Sequence, residues 1–245
     1  MKRNLAIFLM GMTIATMVLG GCKDKENISK KDGKESESVE DKKTFTVGFD
    51  AEYPPYGYMD ENGEYTGFDL ELAEAVCELE GWELVKKPIN WDSKDMELNS
   101  GAIDCIWNGF TMNGREEEYT FSTPYVDNSQ VIVVAEKSGM KTLEDLQGKS
   151  VGVQAASAAL DLLQSEEEGG QKALADTFSA LNEFADYNTA FTELQAGALD
   201  ALAIDVGVAN YQIKSRGEGY QILEETLNTE QYAIGFKKGN QELCN

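Results

Sequence analysis

Histidine is absent from these 245 residues. The commonest general base and the commonest metal ligand are therefore missing. Positive charge is scarce: 21 lysines and arginines stand against 44 aspartates and glutamates, a formal charge of −23. That balance excludes a nucleic-acid partner, because phosphate binding needs a basic surface. The four cysteines, Cys22, Cys77, Cys105 and Cys244, share no metal or redox spacing. No phosphate-binding P-loop, dinucleotide fingerprint, zinc spacing or nucleophile elbow occurs, and no long internal repeat is visible. No metal and no cofactor are expected. The length allows one or two domains with a real core.

What is present begins with an address. Lys2 and Arg3 precede an apolar run from Leu5 to Leu19, which leads into Leu19-Gly20-Gly21-Cys22. A charged start, a short apolar stretch and small residues before a cleavage point form a signal peptide, and the run is short for a full membrane span. A cysteine directly after the small residues resembles the bacterial lipobox. The resemblance implies removal of residues 1–21, lipid on the Cys22 sulfur and a protein held on the outer face of the cytoplasmic membrane. Residues 23–43 carry seven basic and seven acidic side chains and almost nothing apolar. Such a segment cannot bury enough surface to order itself, so residues 22–43 read as a lipidated cysteine and a tether. The excess acid therefore lies in residues 44–245, with 37 acidic and 12 basic side chains. It would repel an anionic membrane, or serve solubility alone.

The remainder alternates strands and helices. Thr44 to Asp50 alternates like a strand, and a loop crowded with Tyr53, Tyr56 and Tyr58 follows, stiffened by Pro54 and Pro55. A hairpin turns at Glu61-Asn62-Gly63. Phe68 to Leu79 has helical spacing, with Leu72, Val76 and Leu79 on one face and Cys77 close to it as a buried free thiol; Gly81 stops the helix. Glu83 to Ile89 is a strand with Trp91 at its end, and Ser93 to Leu98 a short helix. The strand Cys105-Ile106-Trp107 breaks at Asn108-Gly109, and Thr111 and Arg115 follow. In an open α/β sheet the carboxyl ends of the strands face one crevice. Asp50, Tyr53, Trp91, Gly109, Thr111 and Arg115 therefore share a rim. Glycine lets backbone approach a ligand, a threonine hydroxyl both donates and accepts, and arginine presents a fork that fits a carboxylate. Tyr53 and Trp91 are either core residues or stacking walls.

A second α/β run starts with a valine-rich strand at Val131 to Ala135. Thr142 to Leu146 is a short helix and Ser150 to Gln154 a strand. Ala155 to Ala159 turn into a helix, whose start at Ser157 is either an anion seat or a simple N-cap. A strand from Leu181 to Phe184 and a helix from Asn188 to Leu194 follow. Asp200 to Ile204 is a buried strand ending on the carboxylate Asp205, and a helix runs from Val206 to Lys214. Tyr220 to Leu223 and Gln231 to Phe236 are the last strands.

At this point the chain resembles the family 3 extracellular solute-binding proteins, the polar amino-acid receptors of ABC importers. The resemblance runs from about Thr44 to Asn245. Its pieces are Val-Gly-Phe-Asp-Ala-Glu-Tyr-Pro-Pro-Tyr-Gly-Tyr from Val47, Tyr-Thr-Gly-Phe-Asp-Leu-Glu-Leu from Tyr65, and Ile-Asp-Cys-Ile-Trp-Asn-Gly-Phe-Thr from Ile103. Arg115, Phe121 to Tyr125, Ser150 to Gln154 and Gln231 to Phe236 complete it. It implies a type II periplasmic-binding-protein fold, two α/β lobes joined by two hinge strands with a cleft between. Lobe one would span 44–126 with a return at 231–245, and lobe two 131–226. It also implies roles. Arg115 would grip the ligand's carboxylate, helped by Thr111, Ser157 and Ala158. Asp205, the Gly109 carbonyl and Thr111 would hold its ammonium. Tyr53 and Trp91 would sandwich its side chain, Asp50 would meet the polar end, and Gln154 would add a contact.

Three departures from the family pattern stand out. The loop from Thr111 to Arg115 is one residue shorter. Ala156-Ser157 replaces the usual Gly-Ser or Gly-Thr, adding a methyl at the anion seat. The pattern also continues for another helical segment after Cys244, which implies a truncated product or incomplete sequence, with Cys244 exposed. The resemblance implies a monomer that delivers its ligand to permease and ATPase subunits; glutamine, a basic amino acid and cystine stay open as ligands. It implies no enzyme. A dehydratase or lytic transglycosylase on the same scaffold would need a carboxylate acid or base, and Glu52 is the one spare candidate. A stand-alone amino-acid sensor is the other alternative.

Overall fold

The computed structural model describes residues 43–245. The expected signal peptide, lipidated Cys22 and nearly all of the tether lie outside the described residues. Two mixed sheets form, one in each lobe, and the chain crosses between them twice.

The first sheet has the order Glu83–Pro88, Thr44–Phe49, Cys105–Ile106, Gly235–Lys237 and Tyr119–Phe121. Its first three strands are parallel; the returning Gly235–Lys237 is antiparallel to both neighbours. The helix Phe68–Glu80 packs on this sheet and ends at Gly81, whose φ of 69° is left-handed. Its buried face is Leu70, Ala73 and Cys77, not Leu72, Val76 and Leu79. Val76 and Leu79 are exposed, Leu79 to 85%. The helix is apolar on more than one side, and the smaller Ala73 and Cys77 let it approach the sheet. Cys77 and Cys105 are buried free thiols. Cys244 is only half exposed, its Sγ donating to the Phe121 carbonyl at 3.2 Å.

The second sheet has the order Ala180–Phe184, Ser150–Gln154, Ala201–Asp205, Val126–Ala135 and Tyr220–Ile222, with Asn228–Tyr232 also paired to Val126–Ala135. Val131 to Val134 are all buried, as expected for a central strand covered on both faces. Two strand expectations need correction. The valine strand begins five residues earlier, at Val126, because the polar run Asp127-Asn128-Ser129-Gln130 is also strand. Gln231 to Phe236 is two strands, Asn228–Tyr232 in the second sheet and Gly235–Lys237 in the first. The antiparallel pair Val126–Ala135 and Asn228–Tyr232 thus makes both crossings, in register from Asn228 opposite Gln130 to Tyr232 opposite Val126.

Each lobe lends side chains to the other's core. Tyr53 and Tyr56 join the cluster of Tyr187, Phe191, Ile204 and Val208, and Ala156 packs against the cluster of Trp91, Phe110 and Tyr119. The cleft is closed in this conformation.

Candidate functional site

Nine of the ten expected ligand residues line one small cavity: Tyr53, Trp91, Gly109, Thr111 and Arg115 from the first lobe, and Gln154, Ser157, Ala158 and Asp205 from the second. Its volume is about 10 Å³, room for about one water molecule. Asp50 stands one wall away, in a larger cavity of about 510 Å³ that it shares with Trp91.

Local sequence explains each placement. The parallel strands end together, bringing Asp50, Trp91 and Gly109 to one edge. Gly109 has a left-handed φ of 58°, and a Cβ there would lie 3.0 Å from Tyr232 and 3.1 Å from Tyr53. Its N–H donates to Asp69 Oδ2 at 2.5 Å, and the Tyr125 hydroxyl donates to the other oxygen at 2.9 Å. Asp69 is fully buried and was not among the expected residues; it anchors the loop that carries Gly109, Thr111 and Arg115. Burial pushes its carboxyl up to about 7, against the pull of those two hydrogen bonds. Its signal in the sequence was the Gly-Phe-Asp piece.

Arg115 is buried and donates to Asp161 Oδ2 at 2.7 Å across the cleft. The Phe110 ring lies 5.1 Å from its guanidinium carbon. Lys94, unexpected as a site neighbour, is also buried; it donates to the Ala156 carbonyl at 3.3 Å and sits 5.4 Å from the Trp91 ring. Burial and the nearby Arg115 lower its pKa. Two buried cations thus stand near each other, of which Arg115 lines the cavity. Opposite them, Ser157 caps the helix Ala158–Gln164, accepting from the Leu160 N–H at 3.2 Å. The N-cap reading of Ser157 holds. Ala156 has a φ of 54°, the one non-glycine in the left-handed region among the described residues.

The other end of the cavity is acidic. Asp205 is buried and accepts from Asn128 Nδ2 and Gln130 Nε2 at 2.8 Å each and from the Tyr232 hydroxyl at 2.6 Å. Burial, then Glu230, pushes its carboxyl up to about 6. Asp50 accepts from Gln154 Nε2 at 2.7 Å across the cleft and from the Glu52 N–H at 2.9 Å. Burial raises it to about 6 despite these bonds. Glu52, the candidate for acid–base work, accepts from Asn188 of the other lobe. Among the described residues no cluster of three or more Cys, Asp or Glu is arranged to hold a metal ion.

Comparison with known proteins decides the family. Residues 45–245 match the bacterial extracellular solute-binding proteins, family 3. The chain belongs to this family. The family's members are solute-binding proteins and not enzymes. The chain is similar to the L-cystine-binding protein TcyJ of Escherichia coli (strain K12), with 29% identity over 84% of this chain and 75% of the relative. It is also similar in structure to an ABC uptake transporter substrate-binding protein from Streptococcus pneumoniae with bound histidine, at 35% identity and a TM-score of 0.77 over 82% of each chain. An ancestral arginine-binding protein bound to glutamine has 37% identity and a TM-score of 0.73, over 82% of this chain and 87% of that one. The fold of this chain is therefore the type II periplasmic-binding-protein fold.

Proposed function

We propose that this protein is an extracellular lipoprotein that captures a polar L-amino acid by hinge closure and delivers it to an ABC permease and its ATPase. Lobe one comprises 44–126 and 231–245, lobe two 131–226, and residues 22–43 tether the monomer through lipid on Cys22 to the outer face of the membrane. The observation that carries the reading is the sharing of one cavity by a guanidinium and a carboxylate from opposite lobes, Arg115 and Asp205. A zwitterion buried with only one end met would be costly, so both lobes must engage it at once.

The larger cavity bears on the side chain. It is lined by five carboxylates, Asp50, Glu52, Asp92, Glu97 and Asp186, beside Trp91. Such a chamber favours a basic side chain. Cystine fits less well, because its distal carboxylate would face acids with no cation in the lining. A thermal-shift screen of the common amino acids, ornithine and cystine tests the reading, since a ligand of the folded state raises the melting temperature by mass action. L-Arginine, L-lysine or L-ornithine should give the largest rise; no shift with any amino acid would overturn the proposal. Intact-mass analysis of membrane-extracted protein tests the anchor: an unmodified Cys22 would contradict it.

A further inference from the structure

Behind the ammonium side of the small cavity lies a second buried carboxylate. Glu230 is on the hinge strand Asn228–Tyr232, is 5% exposed and does not line that cavity. Its hydrogen-bond partners are all donors. Thr111 Oγ1 donates to its Oε1 at 2.7 Å, and Asn128 Nδ2 and Gln130 Nε2 donate to the same oxygen at 2.8 Å each. Asn228 Nδ2 reaches Oε2 at 3.3 Å. The same two amide nitrogens hold Asp205 Oδ1. Two carboxylate oxygens and two amide nitrogens therefore close a square across the hinge.

The orientation of the amides is forced. Turning either one round would set its oxygen against two carboxylates. Their far oxygens, Asn128 Oδ1 and Gln130 Oε1, are buried without a protein partner, a cost that only the square offsets. The threonine proton is forced as well. A hydroxyl has one proton and a carboxylate only accepts, so the proton of Thr111 goes to Glu230. Its lone pairs are left for the cavity, which Thr111 lines.

We infer that Glu230 is a positioning residue for the ligand's ammonium: it makes Thr111 an acceptor and, through Asn128 and Gln130, fixes Asp205 beside it. This rests on the amino-acid reading above. It also assigns Glu230 a charge effect on Asp205. The other titratable groups at Asp205 are the phenols of Tyr53, Tyr56, Tyr187 and Tyr232. Arg115 lines the same cavity, and among the described residues neither Asp205 nor Glu230 forms a salt bridge.

The test compares wild type with Glu230→Gln and the charge-keeping Glu230→Asp. Calorimetry uses L-arginine and 5-guanidinopentanoic acid, which is arginine without its α-ammonium. Glu230→Gln should weaken arginine about tenfold and leave the analogue nearly unchanged, as expected for losing one charge-assisted acceptor. Equal weakening of both, or of neither, would overturn the assignment. In parallel, aspartate labelled with ¹³C at the carboxyl is titrated by NMR without ligand. The Asp205 midpoint should fall by about one unit or more in Glu230→Gln and recover in Glu230→Asp. A midpoint that stays put in Glu230→Gln would overturn the pairing. Should wild type bind no amino acid at all, the proposed function fails, and the titration still decides whether Glu230 governs Asp205.

Discussion

The two edges of the cleft are built from different materials. The first lobe presents rings and a fixed cation: Trp91, Phe110 and Tyr119 belong to a buried aromatic cluster, and Arg115 lies over Phe110. The second lobe presents a helix start, Ser157, with Gln154 three residues before it, and a strand-end carboxylate, Asp205. The first edge is held by its own core and by Asp69 beneath Gly109. The second is tied to the hinge strands through Asn128, Gln130 and Tyr232. Under the proposed function, the first edge would receive the ligand and the second would couple its arrival to the hinge strands. The two edges' contacts in the closed form, Arg115 to Asp161 and Asp50 to Gln154, occupy Arg115, Asp50 and Gln154, side chains that the proposed ligand would engage.

Substitutions can break this contrast. The largest effect belongs to the first edge. Arg115→Ala should weaken amino-acid binding by about 3–5 kcal/mol, because it leaves a buried carboxylate without its partner; calorimetry showing unchanged affinity would remove Arg115 from its role. Asp205→Asn on the second edge should cost about 2–3 kcal/mol of binding. Here the two lobes should differ in a second readout. Asp205 is held at a raised pKa, so its neutral replacement should leave the melting temperature of the ligand-free protein at pH 7 unchanged or higher. A lower melting temperature with intact binding would contradict this.

Acidity sharpens the comparison further. Burial pushes the carboxyls of Asp50, Asp69 and Asp205 up to about 6, 7 and 6, all above the ordinary 3.8. The folded state then holds more protons than the unfolded state between about pH 4 and 7. The stability these groups contribute is complete below about pH 4 and is lost as pH rises through 6 to 7. Ligand-free protein should melt higher at pH 5 than at pH 7, while affinity falls over the same interval as Asp205 is neutralised. Thermal melts and calorimetry at both values check the opposed signs.

The smallest effect concerns Ala156. Its left-handed φ costs about 1 kcal/mol for a residue with a Cβ, partly offset by the lower entropy of alanine in the unfolded chain. Ala156→Gly should stabilise the protein by under about 1 kcal/mol, measurable by denaturant titration; a clear loss of stability would show that the methyl's packing against Trp91 and Phe110 outweighs the strain.

Much of this site was legible because strand ends announce themselves. Asp50, Gly109 and Asp205 each follow an apolar run, and Thr111 and Arg115 follow Gly109 at short spacing. What stayed hidden has a common cause: buried polar groups read as surface ones. Asp69 looks like an ordinary acid in a helix's first turn, yet it is sealed beneath Gly109. Lys94 opens a short helix and looks solvated. Glu230 lies in Asn228-Thr229-Glu230-Gln231, opposite Asp127-Asn128-Ser129-Gln130, and neither run shows an apolar alternation that would mark a strand. A hinge strand whose buried face is a polar network defeats the periodicity rule. On Phe68–Glu80 the failure was different: Leu72, Val76 and Leu79 share a face, but Leu70, Ala73 and Cys77 are smaller on average and pack closer.

The central claim is that the two lobes together trap one zwitterion. Calorimetry of wild-type protein with L-arginine, with agmatine, which lacks the carboxylate, and with 5-guanidinopentanoic acid, which lacks the ammonium, tests it most directly. The account predicts heat and tight binding for arginine and a loss of at least about a hundredfold for each analogue, since each strands a buried charge. Either analogue binding as tightly as arginine would contradict it.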